Sequence, residues 1–390
     1  MKLYIRTFGC QQNVRDSEMA AGLLCAQGYV LTEDLTQADV IFINTCTVRD
    51  HAENKALSYI GRLKDLKKNN QQLRVIVCGC MPAQPEMAAK LREQFLQVDI
   101  IIRPDAIPKL PMMLQKSLRD NKRLVDIDED YDWYEESPVV RGVSLKQRTD
   151  GDTVAELSGD KSEALVTIMR GCDNYCTFCI VPYVRGRERS RKAEDVIGEV
   201  QQAVADGYNR IMLLGQNVNA YRDGDVDFAV MLRRINTLDG DFTVRFMTSH
   251  PKDATMAMFQ AIAECGKLEK SLHLPVQAGS TLVLTAMNRG YTRDEYLEKI
   301  QQLRALVPHI ELTSDIIVGF PGETEEQFEE TLSLVEAVRF NSLFTFMFSP
   351  RKGTPAADME NMIPTDVKKA RFMRLLDVQK KVEESFDDTQ

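Results

Sequence analysis

No apolar run in these 390 residues approaches the roughly 20 needed to cross a bilayer. The opening segment, MKLYIRTFGCQQN, has no apolar h-region and reads at once as a strand, so no secretory signal is expected. There is no internal repeat and no low-complexity tract. A basic excess is also missing. The formal net charge is −9 and the pI about 5.2, which weighs against a large nucleic-acid footprint in the chain as a whole. These absences lead to the expectation of a cytoplasmic chain with no membrane attachment.

What is present is ordinary in bulk, with 44% hydrophobic and 27% charged residues. The length favours two domains over one. Nine cysteines without an export signal point to metal or redox chemistry more than to disulfides. From residue 1 to about 115, strand-like KLYIRTF, DVIFINT, RVIVCG and VDIII alternate with helical stretches. Those stretches are DSEMAAGLLCAQ, the run from His51 to Lys68, and PEMAAKLREQF. Such alternation predicts a parallel sheet with crossover helices. Residues 120 to 160 lose the periodicity and read as a linker or a surface loop.

From Ala164 the alternation resumes. ALVTIMR, RIMLLGQ, FTVRFMTS, SLHLPV, IELTSDIIVGF and SLFTFMFS are six strand candidates, most of them separated by helices such as AEDVIGEVQQAVADG and TEEQFEETLSLVEAV. Six β/α units suit an open partial barrel, in which active residues sit at the C-terminal strand ends. The stretch from Thr365 to Glu384 reads as a charged amphipathic helix.

Two cysteine sets stand out. Cys172, Cys176 and Cys179 have C-x-x-x-C-x-x-C spacing just after the first strand of the second half. Three thiolates in one loop suit three corners of a cubane, whereas a 4Fe-4S cluster ordinarily takes four. The open iron points to S-adenosylmethionine and its cleavage to a radical. A structural zinc site is the alternative, but no second C-x-x-C pair lies nearby. Phe178, between two of these cysteines, suits packing against an adenine or simple shielding of the cluster. In the first half, Cys10, Cys46 and Cys80 each follow a strand, so one sheet edge brings them together. The other reading is three unrelated thiols. Cys78, Cys25 and Cys265 read as structural thiols.

Polar residues gather at strand ends of the second half: Gly215, Gln216 and Asn217 in LLGQN, Thr248 to Pro251 (with Ser249) in TSHP, then His273 and Gln277 in HLPVQAGS. They suit the amino, carboxylate, ribose and adenine groups of S-adenosylmethionine, or ordinary turns and helix caps. Gly319, Gly322 and Glu323 in VGFPGET suit close approach of a nucleoside or a strand-to-helix turn. Arg185, Arg187, Arg189, Arg191 and Lys192 form a local basic stretch that suits phosphate contacts or a solvated loop.

Taken in order, TFGCQQN, INTCTVR, CGCM, GCDNYCTFCIVPYVRGRERSR, LLGQNVNAY, HLPVQAGS, DIIVGFPGETEEQF and FSPRKGTPAA resemble the radical-SAM methylthiotransferases over nearly the whole chain. TFGCQQN and the CTFCIVPY-x-RGRERSR form are most similar to the MiaB-type branch, which acts on tRNA. The MtaB-like branch (threonylcarbamoyladenosine in tRNA) and the RimO-like branch (a ribosomal protein) are the alternatives within the family. A non-enzymatic iron–sulfur electron carrier is the alternative outside it.

The resemblance implies an α/β fold: an N-terminal parallel-sheet, Rossmann- or flavodoxin-like domain over 1–118, a linker over 119–160, and a radical-SAM partial (β/α)6 TIM barrel over 161–390. It implies two 4Fe-4S clusters and S-adenosylmethionine as cofactors. Cys172, Cys176 and Cys179 match the S-adenosylmethionine-cleaving cluster, and Cys10, Cys46 and Cys80 the auxiliary one. The implied reaction adds a methylthio group to C2 of N6-isopentenyladenosine at position 37 of tRNA, and consumes two S-adenosylmethionine molecules. An aromatic C–H resists acid–base chemistry, so a radical initiator is required. The implied partners are tRNA and an electron donor such as flavodoxin or ferredoxin, with the sulfur donor left open and a monomeric chain. The family continues into a small C-terminal β domain, TRAM, that helps to hold tRNA. This sequence ends at VQKKVEESFDDTQ, a segment that would precede it, so a chain without TRAM and with a weaker grip on RNA is expected.

Overall fold

The computed structural model describes residues 1–47, 50–127, 144–147, 153–156 and 163–387. The chain divides into two compact units. The first comprises Met1–Thr167, Tyr183–Gly186 and Ala205–Asn209, and the second Ile168–Pro182, Arg187–Val204 and Arg210–Gln390.

In the first unit five parallel strands run side by side in chain order: β1 (Lys2–Thr7), β2 (Val40–Thr45), β3 (Arg74–Gly79), β4 (Ile100–Ile102) and β5 (Leu124–Asp126). The central strands β2 and β3 are buried along their whole length, so their sequences are nearly continuous apolar runs. The period of two sorts these residues between two cores. Val40, Phe42, Ile76 and Ile100 pack with Ala20 and Leu24 of α1 (Gln11–Cys25). Ile41, Ile43, Val75, Val77 and Ile101 pack instead with Ile60 and Leu63 of α2 (Asp50–Asn69) and Leu91 of α3 (Pro85–Gln94). Leu110 and Leu114 of α4 (Leu110–Asp120) return to the first face. Cys78 lies wholly within that core, as its position inside a strand predicts.

The stretch expected as a linker contributes strands to this sheet. β5 lies inside it, and so do β6 (Ser144–Gln147) and β7 (Thr153–Glu156). β6 and β7 form an antiparallel pair, and β7 pairs antiparallel with β1 through Arg6↔Val154 and Thr7↔Thr153. An unpaired β1 would leave a row of open backbone groups at the sheet edge. Short strands recruited by an existing edge need little hydrophobic periodicity of their own, which is why the sequence reads as irregular there.

In the second unit, β8 (Arg210–Leu214) and β9 (Thr243–Phe246) are parallel, and β10 (Ser271–His273), β11 (Glu311–Val318) and β12 (Ser342–Met347) form a second parallel set. Helices α5 (Ala193–Ala205), α6 (Phe228–Asn236), α7 (Met256–Glu264), α8 (Arg293–Leu306) and α9 (Glu325–Val338) alternate with the strands. On β11, Leu312, Ser314, Ile316 and Val318 are buried and the residues between them half-buried or exposed, as a one-sided strand requires. Thr292 and Thr324 start α8 and α9 with capping boxes, reciprocated by Glu295 and Gln327.

The first predicted barrel strand is interrupted. Ala164–Thr167 is one strand, and Met169–Arg170 then pairs antiparallel with Arg189–Ser190. That pairing closes the base of the cysteine loop. The last helix, α10 (Thr365–Asp387), is tied to the barrel by Arg371, whose Nη1 lies 3.0 Å from Glu323 Oε2, and by Lys368 Nζ on Phe348 O at 2.9 Å.

Candidate functional site

Cys46 and Cys80 directly follow β2 and β3, and Cys10 is the N-cap of α1, three residues past β1. These strands are parallel neighbours, so all three thiols belong to one sheet edge. Two glycines permit the close approach. Gly9 has φ +129, and a Cβ there would lie 2.7 Å from Cys46 Cβ. Gly79 has φ +107, and a Cβ there would lie 2.2 Å from Thr45 O. Cys80 N in turn donates to Thr45 O at 2.9 Å. Asn13 braces the group. Its Oδ1 accepts from Cys10 N and Sγ, both at 3.4 Å, and its Nδ2 donates to Asn44 Oδ1 at 3.0 Å.

A buried cation lies beside these thiols. Arg185 Nη1 is 2.6 Å from Asp16 Oδ2 and both side chains are essentially inaccessible. Burial pushes the Cys80 thiol up, and the Arg185 charge opposes that.

In the second unit the cysteine loop is anchored on all sides. Gly171 N donates to Gln216 Oε1 at 2.6 Å, and Thr177 N to Met287 O at 3.0 Å. Asn288 Nδ2 donates to Asn174 O and Tyr175 O at 3.1 and 3.0 Å. Tyr175, left-handed at φ 46, turns the chain between the first and second cysteines. The Cys179 thiol is pushed up to about 12, first by burial and then by Cys176, with Cys172 adding to it. Cys172 is raised chiefly by burial. Buried thiols that resist ionising on their own favour a cationic group that would take them as thiolates.

Among the described residues no group of three or more Cys, His, Asp or Glu side chains is placed to hold a metal ion. A cubane spreads its thiolates over different irons, so it does not need that convergence. The donor chemistry of both sets, thiols alone, fits iron–sulfur clusters.

The remaining predicted residues sort into three groups. Gln216 and Asn217 join the loop region. Asn217 Nδ2 donates to Asp253 Oδ2 at 2.7 Å and Glu188 Oε1 at 3.2 Å, while its Oδ1 is buried without a partner among the described residues. Ser249 Oγ is likewise buried and unpartnered among them, at a strand end where Thr248 has φ 70. Orphaned polar atoms at barrel strand ends suit a polar ligand. Phe178 is half-buried within the loop.

His273 and Gln277 are built into the barrel wall. His273 Nδ1 contacts Thr313 Oγ1 at 2.9 Å and Nε2 lies 3.5 Å from Asp315 Oδ1. Gln277 N donates to Asp315 O at 2.9 Å, with φ 75. Both glycines also make close packing contacts. A Cβ on Gly215 would sit 2.6 Å from Met169 Cγ, so this glycine lets β8 lie against the strand that carries the loop. A Cβ on Gly319 would sit 2.5 Å from Lys368 Cγ.

The basic stretch is largely neutralised within the protein. Arg185 pairs with Asp16, exposed Arg187 with Asp173 at 2.8 Å, and Arg191 with Glu199 at 2.5 Å. Sequence reasoning missed Arg289, whose Nη1 reaches Cys176 Sγ at 3.2 Å, while His250, within the Thr248–Pro251 stretch, lies 3.8 Å from the same sulfur. Arg289 carried no signal in MNRGYT. His250 lay inside TSHP, beside the serine chosen there.

Residues 166–335 match the Radical SAM superfamily model, and residues 2–103 match that of Uncharacterized protein family UPF0004. The fold is shared with the radical S-adenosylmethionine methyltransferase TsrM from Kitasatospora setae. Its TM-score is 0.64 at 13% identity, over 91% of this chain and 76% of that one. It is also shared with the cobalamin-dependent S-adenosylmethionine radical enzyme OxsB, with TM-score 0.56 at 13% identity, over 98% of this chain and 56% of that one. The barrel and its three-cysteine loop thus define a radical S-adenosylmethionine enzyme.

The chain is 47% identical over 379 residues to the tRNA-2-methylthio-N6-dimethylallyladenosine synthase of Carboxydothermus hydrogenoformans, covering 96% of this chain and 82% of that one. It is 47% identical over 382 residues to the synthase of the same name from Clostridium perfringens, covering 97% and 82%. The chain belongs to the family of the tRNA-2-methylthio-N6-dimethylallyladenosine synthases.

Proposed function

We infer that this chain transfers a methylthio group to C2 of N6-isopentenyladenosine at position 37 of tRNA. The observation that carries the reading is the pair of separate three-cysteine sets, each presented at strand ends of its own unit. In this reading Cys172, Cys176 and Cys179 hold the cluster that works with S-adenosylmethionine, and Cys10, Cys46 and Cys80 hold the auxiliary cluster. When bound, these groups supply a 5′-deoxyadenosyl radical and the methylthio group to be transferred.

The protein's part is to hold and to orient. Asn13 and Gly9 set the position of Cys10 against Cys46, and Gly79 sets that of Cys80. Gln216 and Asn288 hold the backbone of the cysteine loop. Asn217 Oδ1 and Ser249 Oγ are open acceptors, and Ser249 is also a donor, for the amino-acid part of S-adenosylmethionine. The enzyme works in the cytoplasm as a monomer, with electrons from a small carrier such as flavodoxin or ferredoxin. Among the described residues no helix is long and apolar enough to cross a membrane.

The test is iron and sulfide quantification under anaerobic conditions, with mass spectrometry of tRNA nucleosides. About eight irons per chain should fall to about four when either cysteine set is replaced by alanine. Deletion of the gene should remove the 2-methylthio group from isopentenyladenosine. Loss from threonylcarbamoyladenosine instead would reassign the substrate, and no loss of iron would refute the ligand sets.

A further inference from the structure

Cys176 is distinguished by what surrounds its sulfur. Arg289 Nη1 lies 3.2 Å from Sγ, and the rest of that guanidinium is fully engaged. Its Nη2 donates to Pro275 O at 2.6 Å and its Nε to Tyr291 OH at 3.0 Å. Tyr291 OH is itself fixed on Val276 O at 2.8 Å. Arg289 is only 4% exposed, so a planar cation is locked in place with one edge on the sulfur.

The second group is His250, whose Nε2 is 3.8 Å from the same sulfur. Its Nδ1 accepts from Lys252 N at 3.2 Å, which leaves the proton on Nε2, the nitrogen that faces Cys176. Asn219 grips the His250 backbone from both sides, accepting from His250 N and donating to His250 O, each at 2.9 Å. The Tyr291 ring lies edge-on to the imidazole at 5.8 Å between centroids. By comparison, Cys172 Sγ receives a neutral amide, Asn174 Nδ2, at 3.6 Å. These buried groups therefore place a full positive charge and an N–H donor on one of the three thiols.

We infer that Arg289 and His250 are positioning residues that raise the reduction potential of the cluster held by Cys172, Cys176 and Cys179, acting through the Cys176 thiolate. This rests on the ligand assignment made above. Reduction adds one negative charge to a cluster, and hydrogen bonds to its sulfurs and nearby charge set its potential. A buried cation and a buried donor stabilise the reduced form more than the oxidised one, and the low local dielectric enlarges the effect. Arginine stays charged at any working pH, so its contribution does not titrate away.

The experiment is an anaerobic potentiometric titration followed by electron paramagnetic resonance, on reconstituted wild type, Arg289→Met, Arg289→Lys and His250→Phe. The signal lost on replacing Cys172, Cys176 and Cys179 by alanine identifies the cluster, and the auxiliary signal serves as an internal reference. Arg289→Met is expected to lower the equilibrium constant for one-electron reduction about tenfold, a shift of about 59 mV to more negative potential. Arg289→Lys and His250→Phe should shift it in the same direction by less, with iron content and the auxiliary potential unchanged. An unchanged potential in Arg289→Met with its iron retained overturns the inference. So does a loss of iron in Arg289→Met while Arg289→Lys and His250→Phe keep the wild-type potential. Failure of the ligand assignment would appear separately, as full iron in the alanine triple variant.

Discussion

Arg185 and Asp16 form a buried ion pair at 2.6 Å next to the Cys10 and Cys80 thiols, although they lie 169 positions apart in the chain. Removing one partner strands a charge in the interior, which costs about 3–5 kcal/mol in comparable cases. Asp16→Asn and Arg185→Met are each expected to destabilise strongly. The double variant should lose clearly less than their sum, because neither residue then leaves a lone charge. Urea unfolding of the four proteins gives the coupling, and additive losses would show that the pair contributes nothing as a pair.

Gly79 and Gly28 separate conformational strain from steric conflict. Both have positive φ, but a Cβ on Gly28 meets nothing within 4 Å, whereas one on Gly79 falls 2.2 Å from Thr45 O. Gly28→Ala should cost about 1–2 kcal/mol, the penalty for left-handed backbone alone. Gly79→Ala should cost more and should displace Cys80, so iron per chain falls by about half. Equal melting temperatures and equal iron in the two variants would contradict this.

The two acidic partners of Arg371 should give opposite pH slopes. Glu325 is held below its ordinary 4.5 by hydrogen bonds from Arg374 and then Arg371. Its contribution is present above 4.5 and is lost as pH falls through the lowered folded value. Glu323 is raised by burial. Its contribution is present below 4.5 and is lost as pH rises through the raised folded value. Glu325→Gln should therefore flatten the acid side of the stability profile, modestly because that carboxylate is half exposed and screened. Glu323→Gln should change the slope in the other direction. Urea midpoints by circular dichroism between about pH 3 and 6, which brackets the ordinary glutamate value on both sides, would reveal both, and slopes of the same sign would refute the assignment.

Arg187 and Arg189 are not expected to dominate tRNA binding. Arg187 is paired with Asp173, and the Arg189 backbone is part of the ladder that closes the cysteine loop. Replacing both by alanine should leave the slope of log affinity against log salt almost unchanged. Loss of about 0.7 per phosphate contact, the value for single strands, would show that they grip the backbone.

Both parallel sheets were legible from the alternation of apolar strands and amphipathic helices, because a strand buried on both faces writes an unbroken apolar run such as VIFIN. The positions of Cys10, Cys46 and Cys80 just past strands were legible too, because strand ends in a parallel sheet are set by the same alternation. The edge strands Ser144–Gln147 and Thr153–Glu156 were not, since β1 supplies the pairing partner and their own pattern is weak.

The strand order and the cysteine spacing could be read from the chain alone, because parallel strands end at a common edge and the eight residues from Cys172 to Cys179 make one short loop. What surrounds those thiols emerges from the packed fold. Arg185, Asp16, Arg289 and His250 are brought to the thiols from separate parts of the chain, and no local pattern shows which sulfur each one meets. Their roles rest on burial, and burial is a property of the packed chain. The same reason hides Lys368: nothing local to VGFPGET reveals that this residue of the last helix packs against Gly319.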